Sequence, residues 1–162
     1  MPPTRIIIWS RRVIIFIAAI LLLRLLCSFG VEHLAPDNDS VYPFASAGKS
    51  VLVYKGKTQY KAGRYVFYKL TLDGKEYLAT GMIYAAPGDV VTIEDSRIIT
   101  SYGDVKLAPK EQQLWLTLAG RQLKQDEFLV FNGNPASQRP DGRQVGIIKL
   151  EDLLVRILMV LN

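Results

Sequence analysis

The sequence predicts a mainly β domain, residues 32–162, carried behind an N-terminal apolar segment, residues 1–31. Three observations predict it. Short runs of β-branched and aromatic residues recur from Val51 to the C-terminus, and Gly, Pro and Asp turn signals separate them. The N-terminal stretch from Val13 to Leu23 is unbroken hydrocarbon behind a cluster of arginines.

The apolar segment comes first. Ile6–Trp9 is apolar, Ser10–Arg12 is polar, and Val13–Val31 is apolar except for a few positions such as Arg24. Counted from Val13 to Val31, it is long enough to cross a hydrocarbon core of ~30 Å at ~1.5 Å per residue. Arg24 is tolerable near the end of such a span, where its stem reaches the headgroups. A retained anchor is favoured over a cleaved signal peptide. No good small-x-small cleavage site lies near residues 27–31, and Ala45-Ser46-Ala47 is far downstream. Arg5, Arg11 and Arg12 place the N-terminus on the cytoplasmic side and the following domain outside, across a bacterial inner membrane. The same arginines, with Arg24, account for much of the formal net charge of +5. The basic balance therefore reads as membrane topology, with a lipid bilayer as partner and no nucleic acid. Cys27 is the one cysteine, which excludes an intramolecular disulfide.

Glu32–Ser50 is irregular, broken by Pro36, Asp37, Asn38, Asp39, Pro43 and Gly48. Val51–Tyr54 is the first predicted strand and Tyr65–Tyr68 the second, with Gly56 and Gly63 bracketing the connection. Asp73-Gly74 signals a hairpin into Tyr77–Ala79, and Met82–Tyr84 follows. Pro87-Gly88-Asp89 is a turn before Val90–Ile93 and Arg97–Thr100. Further short runs lie at Val105–Leu107, Leu114–Leu118, Phe128–Phe131 and Val145–Ile148. Helical turns fit only within Leu107–Gln125 and Glu151–Leu161, and the second of these reads equally well as a closing strand. So many short runs predict a β-barrel or sandwich.

Few residues carry chemistry. His33 is the one histidine and sits beside the membrane exit, where it reads as an interfacial polar residue. One His, one Cys and scattered carboxylates give no metal-ligand spacing, and no phosphate-cradling glycine loop is present. No cofactor is expected. Ser40, in Asp39-Ser40-Val41-Tyr42-Pro43, is the candidate nucleophile. A serine without histidine needs another base, and a desolvated lysine on a later strand can take that role.

Four segments in order carry a resemblance to a known family. They are Ser40-Val41-Tyr42-Pro43 with Gly48 and Val51–Val53; Gly63–Phe67; Tyr77–Asp89 ending in Pro87-Gly88-Asp89; and Asn132-Gly133-Asn134 followed by Asp141–Gly146. Over nearly its whole length the chain resembles the bacterial type I signal peptidases, membrane-anchored Ser–Lys endopeptidases. Its small size is similar to the branch that processes or cyclises pilins in conjugation. The resemblance implies a signal-peptidase-like β domain, Ser40 as nucleophile, and Asp141 with Arg143 as a supporting salt bridge. It also implies a peptide partner, a signal peptide or pilin precursor, lying as an added strand near Val41, Tyr42 and Pro43. The chain departs from the family at the base. Six residues before Pro87, where the family has lysine, stands Gly81; a two-residue insertion would bring Ala79 and Thr80 there instead. The serine that supports the lysine is replaced by Arg139. Lys75 and Lys69 are the nearby lysines, and Lys75 is the candidate base.

Two functional expectations follow from the resemblance. One is a membrane-anchored serine endopeptidase in which Lys75 activates Ser40. The other is a relative that binds a peptide or partner without cleaving it. A third, structural role for an unrelated β-barrel is the remaining reading.

Overall fold

The computed structural model describes residues 3–56 and 60–161, with side chains in the N-terminal helix described from Arg12 onward. The side chains of Arg5 and Arg11, and residues 57–59 between Gly56 and Gly63, lie outside these described positions.

Helix α1 runs over Pro3–Cys27. Its apolar side chains from Val13 to Leu26 are exposed. Ser28 closes it, its backbone N–H and its hydroxyl both donating to Arg24 O. The chain then turns directly into strand β1, Phe29–His33. The apolar helix expected to continue to Val31 therefore ends earlier: Val31 pairs with Leu52 in a sheet. Among the described residues no helix is long and apolar enough to cross a membrane.

The rest is mainly β, as the recurring short runs predict. Strands β2 (Ser50–Tyr54), β3 (Tyr65–Leu72), β4 (Lys75–Ala85), β8 (Glu127–Phe131), β9 (Ile148–Lys149) and β10 (Leu153–Leu161) join β1 in one antiparallel sheet. Its order is β1-β2-β10-β3-β4-β8-β9. A second sheet holds β5 (Thr92–Glu94), β6 (Arg97–Thr100) and β7 (Gly103–Lys106).

Two Asp- and Ser-containing hairpins explain part of this register. Asp73 and Gly74 both take positive φ, 51° and 73°, as a tight turn between twisted strands requires. Asp95 and Ser96 do the same between β5 and β6. The predicted runs Tyr77–Ala79 and Met82–Tyr84 form a single strand, β4, because Gly81 continues the pairing opposite Val66.

Helices are few. Helix α2, Pro109–Leu116, takes the predicted Leu114–Leu118 run, with proline at its start and Glu111 accepting from Ala108 N–H. Helix α3, Gly142–Val145, takes the start of the predicted Val145–Ile148 run. The predicted Glu151–Leu161 segment opens on a 3-10 turn, Leu150–Asp152, and continues as strand β10, Leu153–Leu161, which lies inside the large sheet between β2 and β3.

Three apolar clusters fill the domain. One joins Ile98 and Val105 to Trp115, Leu129 and Phe131, and so seats the small sheet and α2 on β8. A second gathers Val66, Tyr68, Leu70 and Ile83 with Phe128 and Val130. The third holds Val41 and Ala45 against Val51, Val53, Phe67 and Ile157. That third cluster pins the Ser40 segment to the sheet.

Candidate functional site

The loop around Ser40 is built by local hydrogen bonds and one buried side chain. Asn38 N–H donates to Ala35 O, Tyr42 N–H to Asp39 O, and Ala45 N–H to Val41 O. Val41 is fully buried, so its side chain anchors the loop and is not open to a peptide, contrary to the expectation for this residue. Tyr42 and Pro43 are exposed, joined by a cis peptide bond, and remain available.

Ser40 itself is only 2% exposed. Its N–H donates to Asn38 Oδ1 at 3.1 Å. Its carbonyl accepts from Gly133 N–H at 2.6 Å and from Asn134 N–H at 3.3 Å. Asp39 ties the same two loops together by accepting from Ser137 Oγ at 2.6 Å and from Asn134 Nδ2 at 3.1 Å. The serine loop and the 132–140 loop therefore form one unit, and the resemblance had placed both in the site.

Thr80 meets this unit from β4. Asn38 Nδ2 donates to Thr80 Oγ1 at 2.9 Å, and Thr80 Oγ1 lies 3.1 Å from Asn38 Oδ1. Thr80, Asn38 and Ser40 are all buried. Tyr65, opposite Met82 on β3, stacks on Phe44 at 4.6 Å beside Gly133. Burial pushes the Tyr65 phenol up, so it stays neutral over the physiological range.

Lysine does not join the site. Lys75 opens β4, exposed, opposite Leu72 at the far end of the hairpin. It lies five residues from Thr80 along an unbroken register, roughly 16 Å at ~3.3 Å per residue. Being of opposite parity, it also projects from the other face of the strand. The expected role of Lys75 as base to Ser40 is thus not met by this geometry. Lys69, opposite Leu78, is exposed as well and lines a shallow cleft with Asp152 and Ile147.

Gly81, where the family pattern puts lysine, has no room for a side chain. A Cβ there would sit 2.6 Å from Phe131 O. The pairing of β4 with β8 shifts register between Ile83 and Ala85. That irregularity changes which residues face the serine loop, so counting back from Pro87 ends on the wrong face. Thr80 is the residue that faces it.

Asp141 and Arg143 are brought together as expected. Asp141 is wholly buried and caps α3 by accepting from Arg143 N–H at 2.9 Å. It also accepts from Arg143 Nε at 2.9 Å and from Asn132 N–H at 2.8 Å. Burial alone would lower the Arg143 pKa, but the hydrogen bond and charge of Asp141 outweigh it and raise the value. The pair holds the 132–140 loop rather than contacting Ser40. Arg139, in place of a supporting serine, forms an ion pair with Asp37 at 2.9 Å. His33 hydrogen-bonds Ser50 Oγ through Nδ1 at 2.8 Å, on an exposed sheet surface. Among the described residues no cluster of His, Cys, Asp and Glu is placed to hold a metal.

A cleft opens beside this unit. Tyr77 forms one wall, and Asp37, Asp39, Ala136, Arg139 and Pro140 line the rest, enclosing about 490 Å³. β8 pairs with β4 only from Met82 to Ala85, so the outer backbone edge of β4 from Lys75 to Thr80 has no strand partner among the described residues. Sequence reasoning missed Asn38 as a structural partner of Ser40, although an Asn two residues before a turn N–H is a common local acceptor. No protein-family model matches the chain, and no curated protein matches it.

Chemically, the arrangement supplies an exposed strand edge and a buried serine. Among the described residues no lysine or histidine hydrogen-bonds Ser40. An amide and a threonine hydroxyl cannot take the serine proton at neutral pH.

Proposed function

We propose that the chain is a membrane-attached, signal-peptidase-like protein that holds an extended peptide without cutting it. One observation supports the reading: the edge of β4 from Lys75 to Thr80 has no strand partner among the described residues, and Thr80 on that strand is tied to the Ser40 loop through Asn38. An extended peptide adds to such an edge through main-chain hydrogen bonds, and the adjoining cleft selects its side chains. A serine peptidase would need a base within about 3–3.5 Å of the hydroxyl, or one bridging water. The peptide is a signal peptide or pilin-type precursor with small residues at its centre. Exposed Tyr42 and Pro43 flank its path. The exposed apolar side chains of α1 attach the protein to a bacterial inner membrane. The N-terminus stays cytoplasmic and the β domain lies outside.

The test uses full-length protein in detergent with a fluorescent precursor peptide. Wild type and Ser40→Ala are expected to bind it equally and to leave it intact. Cleavage by wild type that Ser40→Ala abolishes would make the protein a peptidase and end this reading. Membrane attachment is checked separately by alkaline extraction of bacterial membranes. Release of the full chain into the soluble fraction would remove that half of the proposal.

A further inference from the structure

A second cleft adjoins the first. It encloses about 410 Å³ between the start of α2 and the 132–140 loop. Gln138 and Arg139 line both clefts, so the two meet across that loop. The lining of the second is strongly basic: Lys106, Lys110, Arg139 and Arg143 stand against the single carboxylate of Glu111. Glu111 is buried, and one of its oxygens is taken by Ala108 N–H. Arg139 and Arg143 are already paired with Asp37 and Asp141. Lys106 and Lys110 are exposed, and among the described residues neither makes an ion pair. Two uncompensated ammonium groups therefore face a concave surface continuous with the β4 edge.

We infer that this basic cleft takes acidic side chains on one flank of the peptide held along β4. The inference rests on the peptide-binding reading above and adds a specificity to it. A carboxylate entering the cleft meets Lys106 and Lys110 without displacing an existing partner. Lysines suit this role because they give charge attraction without demanding one geometry. The preference acts on sequence beside the small-residue stretch, and so separates precursors that share the same central residues.

The experiment measures binding of fluorescent peptides to the full-length protein in detergent by anisotropy. Three peptides share a small-residue centre: one neutral, one with two aspartates on the N-terminal flank, one with two on the C-terminal flank. One of the acidic peptides is expected to bind about fivefold more tightly than the neutral one, the scale of two partly screened surface contacts. The gain should vanish in Lys106→Glu/Lys110→Glu and shrink in about 0.5 M salt, where charges are screened within a few Å. Affinity for each acidic peptide is read as a ratio to the neutral peptide within the same protein, so a general loss of affinity in the double variant does not imitate the effect. Equal binding of all three peptides by wild type overturns the inference and leaves the peptide-binding reading intact. Binding of none overturns both. A single-stranded oligonucleotide that binds through the two lysines, with no preference among the peptides, overturns the inference in favour of a nucleic-acid ligand.

Discussion

Asn38 and Thr80, on separate elements, share two hydrogen-bond contacts at 2.9 and 3.1 Å, and the same Asn38 side chain accepts the N–H of Ser40. The loop before the serine is thus set by a hydroxyl on the neighbouring strand. Thr80→Val keeps the size and shape but removes both contacts, leaving the buried Asn38 amide without its partner. The expected cost is about 1–3 kcal/mol, the penalty of an unsatisfied buried polar group. Urea unfolding reads it as a lowered midpoint at unchanged slope. A midpoint equal to wild type would show that the contact does not hold the loop.

Gly81 is the position where the family pattern asks for lysine, and a Cβ there would lie 2.6 Å from a backbone carbonyl. A carbonyl in a paired strand cannot move aside cheaply. Gly81→Ala should therefore destabilise by about 1–3 kcal/mol, the usual cost of overpacking. Gly81→Lys should fold less well still and should produce no cleavage of the precursor peptide. A folded, cleaving Gly81→Lys protein would mean that this residue faces Ser40 after all.

The β character was legible because alternation and turn chemistry act locally: Asp73-Gly74 forms its hairpin wherever it stands. The closing strand β10 was legible only as an ambiguity. Its near-continuous apolar run, broken only by Arg156, has no clean period, so it does not separate a strand from a helix locally; its place between β2 and β3 decides it. The sequence carries the apolar segment on to Val31, past the helix end at Cys27, because Phe29 and Val31 are apolar on a strand surface, and a hydropathy count cannot separate that from a longer helix. Within the site, Ser40, Asp141 and Arg143 follow from motif order. Thr80 arises there only as one alternative, with Ala79, if two residues are inserted, because its facing depends on the register irregularity near Tyr84, a tertiary feature of the pairing with β8. Lys75 is near in sequence only to the expected lysine position at Gly81, not to Ser40. A strand spreads residues that a count from the nearest turn makes neighbours.

Asp141 accepts from Asn132 N–H, Arg143 N–H and Arg143 Nε while wholly buried. Removing its carboxylate strands a half-buried guanidinium and two backbone donors. Asp141→Ala should cost about 3–5 kcal/mol, the range for breaking a buried ion pair from one side. Because the 132–140 loop carries Arg139 and Gln138, peptide binding should weaken in Asp141→Ala under conditions where the protein is still folded. Thermal unfolding and anisotropy together check this. Unchanged stability would show that the loop does not depend on the carboxylate.

Glu127 gives the domain a defined acid response. Burial by itself would raise its pKa, but the Lys124 N–H at 3.0 Å, the Lys149 ammonium at 3.0 Å and Arg121 at 2.6 Å outweigh that and hold it below the usual range. A carboxylate whose folded pKa is depressed contributes stability above its unfolded pKa of about 4.3 and loses it as pH falls through the folded value. Wild-type stability should therefore drop as pH is lowered from about 5 towards 3. Glu127→Gln removes the charge but keeps most of the volume. It should cost about 2 kcal/mol near neutral pH, the scale of hydrogen bonds to a charged group. The gap between the two proteins should then narrow towards pH ~3, where the wild-type carboxylate is itself being protonated. Urea midpoints measured across that range decide it. A gap that stays constant with pH would show that the carboxylate's charge contributes nothing, and that its neutral shape alone holds Lys124 and Arg121 in place.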